Sequence, residues 1–143
     1  KDRLLLTDEQ MYNVDKAREE ISALVADGQL TTYGDFVDTL FKEMNGPVET
    51  FGHAVEGCTT EAVELLDIHK KSWVYCKEMD MQHIIEELGD LRFYYQKLLN
   101  MVGLADADIR AVNMSKLLKR YPGFQYTDEH AKARLDKSEE NNG

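Results

Sequence analysis

Cysteine, proline and positive charge are all scarce in this chain. Only Cys58 and Cys76 occur among its 143 residues. Two thiols cannot build a disulfide framework, and neither sits in a C-x-x-C or Cys/His ligand spacing. A reducing, cytoplasmic setting and buried thiols are therefore expected. Pro stands only at 47 and 122, and no period-two run of Val and Ile exists, so β architecture is excluded. No apolar run reaches the roughly 20 residues of a membrane span. The opening KDRLLLTDEQ has no apolar segment of the secretory kind. Lys and Arg total 17 against 27 acids, for a net charge of −10. That excludes duplex nucleic acid as the main partner, because phosphate contacts need a basic face. A nucleotide held through a divalent cation stays compatible, since the metal reverses the local sign. P-loop, G-x-G-x-x-G and Ser/His/Asp patterns are absent as well.

What remains is helical patterning in a chain long enough for one domain with its own core. Thr7 or Asp8 can cap a first helix carrying Met11, Val14, Ile21, Leu24 and Val25, closed by Asp27-Gly28. A second helix is expected from Tyr33 to Met44, with Phe36, Val37, Leu40, Phe41 and Met44 on one side, stopped by Asn45-Gly46-Pro47. A third runs from His53 to Ser72 with Val55, Cys58, Ala62, Leu65 and Leu66 as its core stripe. A fourth, from Asp80 to Met101, repeats Ile84, Leu88, Leu91, Tyr95 and Leu98 at steps of four and three. Asp106 can cap a fifth, over 106–120, ending before Tyr121-Pro122-Gly123. A short helix near Asp128 follows, and 136–143 read as a disordered tail. The expectation is a single all-α domain over 1–143: a bundle of about five helices in which residues 1–30 supply an added N-terminal helix.

Two acidic pairs stand out. Glu61 and Glu64 are three apart, as are Glu87 and Asp90. That spacing puts both members of a pair on one side of a helix. Each pair adjoins the apolar stripe of its helix, so the acids sit near partly dry ground, where two like charges repel. A divalent cation neutralises both. Antiparallel packing of the third and fourth helices would bring the four carboxylates together as hard oxygen donors suited to Mg²⁺ or Mn²⁺. No Glu-x-x-His pair marks a di-iron bundle. Glu86 is an additional acid on a neighbouring side, with an outer position as its expected role. His83, four before Glu87, suggests either zinc or an exposed helix pair.

The fifth helix carries Asn113, Lys116 and Arg120 on one polar line, opposite Met114, Leu117, Leu118 and Tyr121. Cations on one face can hold phosphate oxygens, Arg with two donors at once. The same line also reads as a solvated face whose cations suit a helix C-terminus. His53, His69 and His130 read as structural histidines, and Trp73, Tyr75, Tyr94 and Tyr95 as packing aromatics.

In order, HAVEGCTTEAVELLDIHKK, WVYCKEMD, IIEELGDLRFYY and VNMSKLLKRYPGF resemble the MazG-like, all-α nucleoside triphosphate pyrophosphohydrolases. That family carries Glu-x-x-Glu on one helix and Glu-x-x-Asp on the next, matched here by Glu61/Glu64 and Glu87/Asp90 with 22 residues between. Its later Asn-x-x-Lys-Leu-x-x-Arg-Tyr-Pro stretch is matched by Asn113, Lys116, Leu117, Arg120, Tyr121 and Pro122. The resemblance covers about 33–135. Val63 stands where Gly is common, and Cys76 where a Tyr-Gly-Lys turn is usual. The resemblance implies hydrolysis of (d)NTP to (d)NMP and pyrophosphate with Mg²⁺. Glu61, Glu64, Glu87 and Asp90 would be the metal ligands and catalytic acids. Asn113, Lys116 and Arg120 would hold the substrate. It also implies a homodimer or homotetramer that completes the bundle. A non-catalytic nucleotide-binding module and a structural helical interaction protein are the rival readings.

Overall fold

A computed structural model describes residues 4–42 and 44–137. Among them all regular structure is helical, as the patterning predicts. The helices are α1 (Asp8–Ala26), α2 (Tyr33–Leu40), α3 (Pro47–Tyr75), α4 (Met81–Val102), α5 (Asp106–Arg120) and α6 (Asp128–Ala133), with 3-10 turns at Pro122–Phe124 and Leu135–Lys137. No described helix is long and apolar enough to cross a membrane. The chain divides into two compact units, Lys1–Val102 and Gly103–Gly143.

In the first unit, local chemistry fixes the starts of α1 and α2. Thr7 accepts from Gln10 N–H (3.2 Å) while the Gln10 side chain accepts from Thr7 N–H (2.9 Å). Thr32 and Asp35 repeat this reciprocal cap. The expectation for α2 is corrected: it stops at Leu40, because Phe41 turns extended and buries its ring near His53, Phe93 and Tyr94. The expected start of α3 is corrected too. It begins six residues before His53, with Pro47 in the first turn, where its missing N–H costs nothing. Cys76 ends α3 in the left-handed region (φ 50°) and is exposed, so only Cys58 is even partly covered.

The core lies where α3 crosses α4, with α2 on α4 beside it. Its inner line on α3 is not the expected apolar stripe. The buried positions are Thr50, Ala54, Gly57 and Ile68, with Glu61 half-buried on the same line. Val55, Ala62 and Leu66 face outward, Leu66 at 61% exposure. Leu88 on α4 is likewise half exposed, while Glu87, Lys97 and Leu99 are buried. The reason is steric. Tyr94 fills the space over Gly57 so closely that a β-carbon there would lie 2.2 Å from the ring. A small residue is needed where α3 faces Tyr94, and Val55, Ala62 and Leu66 are left on the outside, while Ile68 further along is buried.

Beside the fully buried Val37 of α2, polar bonds join α2 to α4. Lys97 donates to Asp38 (2.9 Å) and lies over the Phe41 ring (5.0 Å). Asn100 donates to the Gly34 carbonyl (2.9 Å) and accepts from Gln96 (2.8 Å).

In the second unit, Ala105 rather than Asp106 caps α5. Asp108 accepts from Ala105 N–H (2.9 Å), and Asp106, already in the first turn, pairs with Arg110 (2.8 Å). Arg120 reaches Asp136 with two 2.7 Å bonds, tying the end of α5 to the last 3-10 turn. Of the expected tail, Asp136 and Lys137 belong to that turn, and 138–143 lie outside the described residues.

Candidate metal centre

Glu61 comes from the middle of α3, Glu87 and Asp90 from the first half of α4. Each offers a carboxylate oxygen, and the three oxygens lie within 4.8 Å of one another. Glu87 is 9% exposed, Glu61 half-buried and Asp90 exposed, so the cluster opens from the seam towards solvent on one side. The position follows from the packing just described. Glu61 continues the line of Ala54 and Gly57, and Glu87 and Asp90 continue that of Tyr94 and Lys97, at steps of three and four. The acids thus sit on the inner line of both helices, not beside an apolar stripe.

The electrostatics match that location. Burial raises the Glu61 carboxyl above its ordinary range. Contact with Glu87 and the charges of Glu87 and Asp90 push it the same way, against a weak hydrogen bond from Thr60. Bringing three anions together costs free energy unless something positive joins them.

Glu64, the fourth expected ligand, is exposed one turn along α3 and is not among the three clustered acids. Glu86 is also exposed, with its carboxylate taken by Gln82 (2.9 Å). Asn113, Lys116 and Arg120 lie on α5 in the second unit, where Asn113 and Lys116 are exposed. Two of Arg120's donor nitrogens are engaged by Asp136, which raises the guanidinium pKa further and pulls the Asp136 carboxyl down to about 2.

Of two further residues, the sequence reads His83 as a zinc candidate or an exposed helix pair, and Arg92 escapes that reading. His83 Nε2 lies 2.7 Å from Glu87 Oε1. Its i, i+4 spacing was the available signal, but only burial of Glu87 gives that spacing weight. Arg92, two residues past Asp90, packs its guanidinium over Tyr33 (5.5 Å) and Tyr95 (5.3 Å), and its Nη1 is buried with no hydrogen-bond acceptor. Nothing in the spacing marks Arg92.

No family model matches the chain, and no curated protein or solved structure does either.

Proposed function

We propose that this protein is a Mg²⁺-dependent nucleoside triphosphate pyrophosphohydrolase of the MazG-like kind, splitting (d)NTP, with dNTP as the favoured substrate, into (d)NMP and pyrophosphate. The observation that carries this reading is the meeting of Glu61, Glu87 and Asp90 within 4.8 Å on the inner line of two packed helices. The donor set fits a hard dication: three carboxylates and no thiolate, with Mn²⁺ able to substitute for Mg²⁺. Glu64, one turn from Glu61, is the fourth ligand in this reading. When bound, the cation offsets phosphate charge and makes water a better nucleophile. Glu61, half-buried among the three clustered acids, is the group proposed to take a proton from the attacking water. Phosphate contacts are proposed for Asn113 and Lys116 on the strength of their shared line along α5, and Arg120 joins them only by giving up its bonds to Asp136.

The reading extends to a homo-oligomer in a cytoplasmic setting. Val55, Cys58, Ala62 and Leu66 on α3 and Leu88, Leu91, Tyr95 and Leu98 on α4 leave an apolar face on the outside of the hairpin. A cleft of about 510 Å³ lies in this face, lined by Cys58, Leu88, Leu91, Arg92, Tyr95 and Leu98. Two helices with outward apolar stripes form half of a four-helix bundle, and a second copy supplies the other half.

The test is a panel of canonical and modified (d)NTPs with Mg²⁺, resolved by product chromatography. (d)NMP and pyrophosphate are expected. NDP and orthophosphate would reject the bond assignment. Nucleotide-dependent stabilisation without product would mark a binding module, and no response to Mg²⁺ or nucleotide a structural protein. Glu64→Ala and Asp90→Ala should each abolish turnover with helical content retained, and full activity in both would overturn the ligand assignment.

A further inference from the structure

We propose that His83 is a positioning residue for the metal centre, its imidazole holding one oxygen of Glu87 so that the other is presented to the cation. The inference rests on the metal-centre reading above. His83 Nε2 and Glu87 Oε1 are 2.7 Å apart, a short contact for a charge-assisted bond. The Glu87 side chain is only 11% exposed and that of His83 is 35% exposed, so the bond forms at the mouth of the seam, with its acceptor largely covered.

The backbone that carries the ring is fixed from below. Asp80 accepts from His83 N–H (3.0 Å), and its carbonyl accepts from Ile84 N–H (3.0 Å), which sets the first turn of α4. One turn on, the i, i+4 relation delivers the imidazole to Glu87.

Residue type matters here. A carboxylate can accept several bonds, and a ligand carboxylate needs one oxygen kept for the metal. Imidazole offers a single N–H in that direction and leaves the second oxygen open. Arginine in this place would engage both oxygens with its fork. His83 contributes no atom to the trio of clustered oxygens, so it stands behind the ligand and does not join the ligand set. Glu86, the acid that the spacing nominates for an outer position, is turned to Gln82 instead.

The experiment is Mn²⁺ binding to the full chain without nucleotide, followed by electron paramagnetic resonance of free Mn²⁺. Wild type is compared with His83→Ala, His83→Gln and Glu87→Gln, each checked for helical content. His83→Ala should bind Mn²⁺ about 10- to 100-fold more weakly, the usual loss when a group orienting a metal ligand is removed. His83→Gln, which keeps an N–H donor, should recover most of that loss, and Glu87→Gln should lose binding altogether. Because His83 is partly exposed, its truncation leaves no sealed cavity. If His83→Ala nonetheless fails to fold, His83→Gln and His83→Leu make the same comparison between donor and no donor. Equal affinity with and without the donor overturns the positioning role while leaving the metal centre standing. Absence of Mn²⁺ binding in wild type overturns both.

Discussion

Gly57→Ala should destabilise the protein although it places the best helix former inside a 29-residue helix. On propensity alone the change gains about 1 kcal/mol. Packing opposes it. The new β-carbon would lie 2.2, 2.3 and 2.4 Å from Cδ1, Cε1 and Cγ of Tyr94. Ordinary contact begins near 3.4 Å, so ring or helix must give by about 1.2 Å. The ring has little freedom: Phe93 stands 5.5 Å from it, and Phe41 and His53 are each 6.1 Å away. Overpacking of this kind costs about 1–3 kcal/mol, and a clash with a wedged aromatic belongs at the upper end. The net expectation is a loss of about 1–2 kcal/mol after the propensity gain. Gly52→Ala is the matched control. It lies on the same helix with nothing within 4 Å of its would-be β-carbon, so it should gain up to about 1 kcal/mol. Urea unfolding followed by circular dichroism reads both, with unchanged slope as the check on two-state behaviour. If Gly57→Ala stabilises as much as Gly52→Ala, the α3–α4 approach is looser than described, and the inward placing of Glu61 loses its steric basis.

Glu61→Gln should raise the melting temperature of the metal-free protein near neutral pH, because it removes the carboxylate that burial and two neighbouring acids disfavour. The same change should erase any stabilisation by Mg²⁺, and a metal-free form that melts lower than wild type would contradict the repulsion argument. Asp38→Ala leaves the buried Lys97 ammonium without that carboxylate. A loss of about 1–3 kcal/mol is expected in urea unfolding, below the full cost for a buried pair because Asp38 is half exposed. For Asp136 the folded carboxyl is depressed to about 2 from 3.8 by the Arg120 guanidinium. Its stabilising contribution is therefore complete above about pH 4 and disappears as pH falls towards 2. A carbon NMR titration should find its midpoint near 2, and a midpoint near 4 would mean that the pair does not hold in solution. Leu66→Glu, at an outward position of α3, should shift sedimentation to a smaller species. An unchanged sedimentation coefficient would place the interface elsewhere.

The all-α class, the approximate extents of α1, α4 and α5, and the Thr7 cap are legible in the sequence because local periodicity and capping chemistry decide them. Which face of α3 is inside is not legible. Val55, Leu65 and Leu66 make the stronger apolar line, yet Thr50, Ala54 and Gly57 are buried. That choice depends on the bulk of Tyr94 on another helix. The end of α2 escapes for a similar reason: Phe41 leaves the helix to fill a space shaped by Phe93 and Tyr94. The acidic site is partly legible. Spacing names Glu61, Glu87 and Asp90, which do meet, and equally names Glu64, which stands outside the trio. Spacing sets the side of a helix to within one turn, whereas membership of a cluster depends on side-chain direction and on the partner helix. His83 shows the converse case, since an i, i+4 pair of His and Glu gains meaning only once the Glu is known to be buried.

The most direct test is hydrolysis of a dNTP with Mg²⁺ in water enriched in oxygen-18, with products analysed by mass spectrometry. Attack at the α-phosphorus predicts one heavy oxygen in the nucleoside monophosphate, none in the pyrophosphate, and loss of the reaction in Asp90→Ala. Heavy oxygen in pyrophosphate or orthophosphate, or turnover that survives removal of Asp90, would contradict the account.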